Sequence, residues 1–403
     1  MKVGLYVAFI TTMVTCLLLG ATGCGADMAP LTAQADEHRI TGTQFGPTVE
    51  GAISAVAAFD DGDIALASEH GLVVGIDPSG QELWRTSLGD RLVYEVLAVP
   101  ESSLLLAASV SVSPEGMYSD CRIEALDEHG QVVWTIMPPV TDTVADIFVG
   151  EDEDLALLAF LPIYEGSGEL LWVDPMTGSA LKSHPIDEST MVHVSVTPNL
   201  DTIALSAVGH TEDISTLAPG RLTVFNDMVM TLDEVREPHA APVFVDPRSL
   251  VTVDAEGQMT QWGLSDGKWV EGTTPADLGE YPSWLGVEGS TLLLASQSMV
   301  QEGDDSHHLI QLSTRSIGSG EALWTREYET TSMTLLSLSP ERRWIIAAAP
   351  PGTDPEAYLI DVVDGTQYSL PDGTTCASSS ASGRMFLAGT DRGVLLAVDL
   401  PQQ

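Results

Sequence analysis

The 403-residue chain is strongly acidic: 58 Asp and Glu against 16 Lys and Arg leave a formal charge of −42. Such a surface repels nucleic acid and anionic lipid, which removes DNA and RNA from the candidate partners. High charge alone argues for disorder, but 44% of the residues are apolar and fall in patterned runs, so a folded body is expected. Lysine occurs only at Lys2, Lys182 and Lys268. An acid-rich, lysine-poor surface suits solubility in a salty medium; the other reading is attraction of cationic partners or divalent ions.

The chain starts with Lys2 and an apolar run from Val3 to Leu19, then small residues, the order of a secretory signal. Leu17-Leu18-Leu19-Gly20-Ala21-Thr22-Gly23-Cys24 resembles the lipobox of bacterial lipoproteins, with Ala21 where leucine is usual. That resemblance implies cleavage before Cys24 and acyl chains on its new N-terminus, enough for stable anchoring. An ordinary signal peptide and an uncleaved anchor are the alternatives. The expected plan is a signal over 1–23, a flexible tether over 24–38 and a folded domain over 39–403. No later apolar run nears 18 residues, so no further span is expected. Gly25 lacks the aspartate that enterobacterial sorting reads as inner-membrane retention, which points to the periplasmic side of the outer membrane.

From about residue 50 one pattern repeats. An apolar strand, a turn, a strand rich in Ala, Leu and Ile, a loop, a strand ending in Asp, a turn with Gly and a strand often bearing Trp follow in order. The first copy runs from Ile53-Ser54-Ala55-Val56 through Ile64-Ala65-Leu66-Ala67 and Gly75-Ile76-Asp77-Pro78-Ser79-Gly80 to Trp84. Later copies include Leu126-Asp127-Glu128-His129-Gly130 with Trp134, Val173-Asp174-Pro175-Met176-Thr177-Gly178, and Gly320 with Trp324. About eight copies recur at a mean period near 46 residues, the range of four-stranded propeller blades. The fold expected is an all-β, eight-bladed propeller of antiparallel blades, with seven blades the alternative count. Gly supplies positive φ in the hairpins, Asp bonds the local backbone, and Trp is placed between blades.

The last copy has three strands, about 376–380, 384–389 and 394–399. Arg39 to Phe45 is strand-like and otherwise unassigned, so it is expected to complete that blade and remove the sheet edge.

The Asp-x-x-x-Gly-x-x-x-Trp phrase resembles the repeat of the PQQ-like, quinoprotein-type propellers; Asn226-Asp227-Met228-Val229 departs from it. With the lipobox, the length and eight copies, the architecture is similar to that of the BamB family, propeller lipoproteins of the outer-membrane barrel-assembly machine. No binding residue of that family is matched. Quinoprotein dehydrogenases share the superfamily and use a vicinal cysteine pair, which this chain lacks, so neither PQQ nor another cofactor is expected, and no catalytic residue is assigned.

Asp60-Asp61-Gly62-Asp63 and Glu151-Asp152-Glu153-Asp154 have calcium-like composition but occupy a turn where another copy carries Arg342 and Arg343, so they read as solvated hairpins. Asp304-Asp305-Ser306-His307-His308 reads as a polar loop, because adjacent histidines on extended chain point opposite ways. No metal site is assigned. Cys121 and Cys376 fall on distant strands and are expected to be free thiols.

Between second and third strands, blades 1, 5 and 8 have tight turns, whereas blades 2, 3, 4, 6 and 7 carry excursions near 111–119, 162–168, 209–220, 300–308 and 350–357. These share one face with the blade-to-blade connections, and insertions gathered on one face mark a binding face. The candidate partner-binding residues are Met117, Tyr118, Ile163, Tyr164, Ile214 and Leu217, with Cys24 as the lipidation site. The function expected is a non-catalytic, monomeric propeller, membrane-tethered through its N-terminal lipid and docking an envelope protein or peptide. Outer-membrane protein assembly is a specific form of that role. A quinoprotein-type enzyme and a calcium- or ligand-sensing surface protein are the alternatives.

Overall fold

The computed structural model describes residues 38–114, 117–138, 143–150, 155–162, 166–189, 191–208, 220–236, 240–254, 256–272, 276–278, 284–302, 305–330, 335–338, 343–348, 357–379, 386–398 and 400. Among them every regular element is a strand, and the strands make eight sheets. Blade 1 consists of Ile53–Ala58, Ile64–Ser68, Leu72–Ile76 and Glu82–Ser87; blade 2 of Leu92–Ala98, Leu105–Val112, Tyr118–Leu126 and Val132–Ile136. Blade 3 has Thr143–Val149, Ala156–Pro162, Gly166–Asp174 and Ser179–Ser189; blade 4 has Met191–Val196, Thr202–Val208, Gly220–Asn226 and Val229–Arg236. In blade 5, Ala240–Asp246, Ser249–Asp254 and Gln258–Ser265 are followed by an outer strand in two pieces, Lys268–Glu271 and Ala276–Asp277. Blade 6 comprises Trp284–Glu288, Thr291–Glu302, Asp305–Ser316 and Ala322–Thr330; blade 7 comprises Leu335–Leu338, Trp344–Ala348, Ala357–Asp361 and Gln367–Ser369. The last blade contributes Thr374–Ser379, Phe386–Thr390 and Leu395–Val398.

Its fourth strand is Gly42–Gln44, antiparallel to Leu395–Val398 with Gly42 opposite Val398, as the sequence predicts. One feature was not foreseen. His38–Arg39 adds a parallel strand to the outer edge of blade 7, His38 opposite Tyr368. The N-terminal chain thus straps blade 7 before it closes blade 8.

The second strands show why the ring coheres. Ile64–Ser68, Ala156–Pro162, Trp344–Ala348 and Phe386–Thr390 are buried throughout. Side chains on a strand alternate between faces, so each second strand serves two seams. Ile64 and Leu66 join the cluster shared with blade 8, while Ala65 and Ala67 join the one shared with blade 2. Leu292 and Leu294 face blade 5; Leu293 and Ala295 face blade 7. Outer strands are mostly exposed, as Glu82–Ser87 illustrates.

Tryptophans lock the outer half of the seams. Trp134 Nε1 donates to the Pro175 carbonyl at 2.9 Å, and Trp324 Nε1 donates to the Val362 carbonyl at 2.9 Å, each in the third-to-fourth turn of the next blade. A Cβ built on Gly178, at φ 67°, would lie 2.7 Å from the Trp134 ring, so this turn needs glycine for both conformation and space. A β-bulge precedes each docking residue: the register jumps from Val132 to Trp134 and skips one residue before Trp324. Blade 3 has Lys182 at the equivalent position, and its ammonium donates to the Met228 carbonyl, the substitute where the repeat phrase breaks down. Phe45 follows the closing strand and packs against the Gly80 turn of blade 1.

Trp134→Ala removes both plate and hydrogen bond and is expected to cost about 3 kcal/mol in denaturant unfolding. Trp134→Phe keeps the plate and should cost about 1 kcal/mol.

Candidate functional site

Two features single out the face that carries the second-to-third hairpins. The hairpins are stitched to the blade-to-blade connections there: Leu88 N–H donates to the Gly71 carbonyl at 2.8 Å and Val49 N–H to the Gly393 carbonyl at 2.9 Å. Blades 1, 5 and 8 have tight turns closed by Gly71, Gly257 and Gly393, all at positive φ. Gly393 is packed so closely that an added Cβ would lie 2.0 Å from the Val49 carbonyl oxygen.

The hairpins of blades 2, 3 and 6 differ from the loops expected at 111–119, 162–168 and 300–308. The ladder continues to Val112 opposite Tyr118 in blade 2; in blade 3 strand resumes at Gly166 after Pro162; in blade 6 it continues to Glu302 opposite Asp305. Alternating Ser, Val, Gln and His residues suit a two-sided ladder, and the backbone satisfies its polar groups by pairing on rather than looping. Blade 6 becomes a fin of two 12-residue strands backed by the nine-residue strand Ala322–Thr330. His307 and His308 occupy successive positions in its third strand, not a loop.

Of the predicted contact residues, Met117 is at the surface, 49% exposed, in a hairpin closed by Ser113 N–H donating to the Met117 carbonyl at 2.8 Å. Tyr118 is only 6% exposed and belongs to the core cluster of blades 2 to 4, so its ring is not presented to a partner. A β-bulge explains this: the register shifts between Ser109 and Ser111, with Asp120 at φ 52°, and turns Tyr118 onto the face it shares with Cys121 and Ile123. Cys24, Ile163, Tyr164, Ile214 and Leu217 lie outside the described residues.

Beneath Met117 is a charge cluster that sequence reasoning missed. Arg91, 6% exposed, donates through Nε to Ser109 Oγ at 3.0 Å, through Nη1 to Ser111 Oγ and Asp120 Oδ2, and through Nη2 to the Ser109 and Asp120 carbonyls. Arg122 pairs with the same carboxylate at 2.8 Å. Partial burial pushes the Asp120 carboxyl up, but the two guanidiniums outweigh it and hold the group below the ordinary range. Glu124 on the same strand is buried, its Oε2 has no hydrogen-bond partner, and burial raises its pKa. The available sequence signal was an arginine just after the Gly89-Asp90 connection in a chain short of basic residues.

The acidic turns act as hairpin caps. Asp61 Oδ1 accepts from Asp63 N–H at 3.0 Å, and Asp60 Oδ2 accepts from Glu101 N–H at 2.8 Å. Among the described residues no three His, Cys, Asp or Glu side chains converge on a metal position. The 151–154 turn lies outside them. Cys121 and Cys376 are free, and burial pushes both thiols up to about 12.

With this geometry in place, the class is a closed eight-bladed β-propeller of PQQ-like repeats. The family described as outer membrane protein assembly factor BamB matches residues 34–273, and the chain belongs to that family. The matched span runs from the closing strand through blades 1 to 4 and most of blade 5. No curated protein matches the chain. Among solved structures, BamB from Moraxella catarrhalis is similar at TM-score 0.55 and 15% identity, covering 90% of this chain and 99% of that one. The C-terminal WD40 domain of Sif2 is similar at TM-score 0.53 and 9% identity, covering 91% and 99%. At these identities the likenesses speak for the fold.

At about pH 8 a thiol with so high a pKa holds almost no thiolate. Both cysteines are therefore expected to resist alkylation in the folded protein and to react fully once it is unfolded, which mass spectrometry would score.

Proposed function

We propose that this protein is a non-catalytic scaffold, anchored through lipid on Cys24 to the periplasmic side of the outer membrane, that docks protein partners during outer-membrane protein assembly. The observation that carries the proposal is membership of the BamB assembly-factor family over residues 34–273. Two further features support it. The lipobox-like segment ends at Cys24, and one face carries the extended hairpins of blades 2 and 6, the former with exposed Met117. An exposed methionine is an adaptable apolar contact on an otherwise acidic surface.

Photo-crosslinking in cells tests the docking face. A crosslinker at Met117 is expected to capture one recurrent envelope protein of the barrel-assembly machinery. A crosslinker at Val363, 80% exposed in the third-to-fourth turn of blade 7 on the opposite face, should not. Equal capture from both positions, or none from Met117, counts against the docking face. The anchor is tested separately: Cys24→Ala should abolish incorporation of labelled palmitate and move the protein from the membrane to the soluble fraction.

A further inference from the structure

The outer strands of four blades share an irregularity that leaves one residue unpaired. In blade 1 Glu82 pairs with Ile76 and Trp84 with Gly75, so Leu83 is skipped. The same shift of register skips Val133 in blade 2, Leu181 in blade 3 and Leu323 in blade 6. A β-bulge re-aims neighbouring side chains. The residue after each bulge enters the seam with the next blade: Trp84 lies against Gly130, and Trp134, Lys182 and Trp324 bond carbonyls there. The bulged residue stays outside, and all four are large, apolar and at least half exposed.

Single exposed apolar residues are ordinary on a protein surface. Leu or Val at one equivalent position in four blades is not scatter, above all on a chain of formal charge −42. All four positions adjoin the third-to-fourth turns, where Val229 and Val363 are more exposed still. The hairpin end of the blades exposes fewer large apolar side chains among the described residues: Val112, Met117, Met137 and Val235. Equivalent positions of a closed ring lie in one plane, so this rim suits a flat surface better than a single extended peptide.

The N-terminal chain joins the ring on the same side. His38–Arg39 runs parallel to Gln367–Ser369, which itself leaves the third-to-fourth turn of blade 7. The strap therefore starts at the turn side and runs toward the hairpin face. His38 lies 14 residues after Cys24 in sequence, at most about 50 Å of extended chain.

We propose that the apolar rim beside the third-to-fourth turns rests on the surface of the bilayer that holds the chain's own acyl anchor. This rests on the reading of Cys24 as the lipidated residue and adds which face meets the membrane. The paired hairpins and Met117 then face away from the bilayer, open to protein partners. The anchor keeps the rim at high local concentration over the lipid, so weak apolar contacts suffice.

Charge selects the kind of bilayer. The same turns carry Asp77, Asp127, Glu128, Asp174 and Asp364. Hydrogen bonds from Gln81 N–H and the Ser79 hydroxyl hold the Asp77 carboxyl below its ordinary range. These carboxylates stay in headgroup water and repel anionic lipid, so the rim fits a zwitterionic surface.

The test anchors the mature chain in phosphatidylcholine vesicles with a diazirine amino acid in place of Leu83, Leu323, Met117 or Val235. Irradiation should attach lipid at Leu83 and Leu323 several-fold more often than at Met117 and Val235, scored by mass spectrometry of the peptides. Vesicles rich in phosphatidylglycerol should lower that yield at low salt, and about 0.5 M salt should restore it. A yield indifferent to both changes overturns the choice of bilayer. Flotation of the naturally acylated protein reads the anchor separately. If Cys24 proves not to be acylated, that reading fails, and a maleimide lipid coupled to its thiol supplies the tether for the same comparison. The membrane-facing rim is overturned if floating protein gives lipid adducts equally at both ends of the blades, or none at Leu83 and Leu323. Adducts to a second copy of the chain in place of lipid at these two positions overturn it as well.

Discussion

Along the core of the ring the described second strands are buried on both faces, and the architecture follows from that constraint. A strand whose odd residues serve one neighbour and whose even residues serve the other cannot be stable alone. Ala65 and Ala67 need blade 2, as Ile64 and Leu66 need blade 8. Eight such sheets satisfy one another only when the circle closes, so closure carries unusual weight. The closing seam is correspondingly redundant: Gly42–Gln44 completes blade 8, Phe45 packs on the Gly80 turn, and Thr375 bonds the Ile53 carbonyl.

Two concentric sets of polar contacts refine this apolar ring. At the outer edge, indole N–H groups of Trp134 and Trp324 donate into the next blade's turn. Around the channel, hydroxyls of Ser54, Tyr94 and Thr375 donate to the next blade's inner strand. Both satisfy backbone carbonyls that a blade leaves bare at its margins, where burial without a partner would be costly. The outer set also contains one ionisable substitute, Lys182 on blade 3, which donates to the Met228 carbonyl.

The candidate docking face follows from the same frame. Because the rigid seams end at the hairpins, sequence between second and third strands can vary without disturbing the core. The chain used that freedom to lengthen strands in blades 2 and 6, and the result is projections of paired strand. Strand already paired in the free protein costs less entropy on docking than a segment that must order on binding. This agrees with the scaffold role proposed above.

Much of this was legible in the residues alone. The recurring Asp, Gly and Trp predicted blade count, hairpin chemistry and docking tryptophans, because those are local geometric demands that particular side chains meet. The closing strand was readable from a missing partner in the last copy. The hairpin extensions were misread as loops because polar alternating segments such as Ser296 to Glu302 carry little apolar signal, and only pairing across the hairpin shows them to be strand. Tyr118 looked like a surface tip for the same reason: which way a strand residue faces depends on register, and one step moves a side chain from solvent to core. The Arg91 cluster lay further out of reach. Its partners come from different strands, and burial, which sets their charge, exists only after the ring has closed.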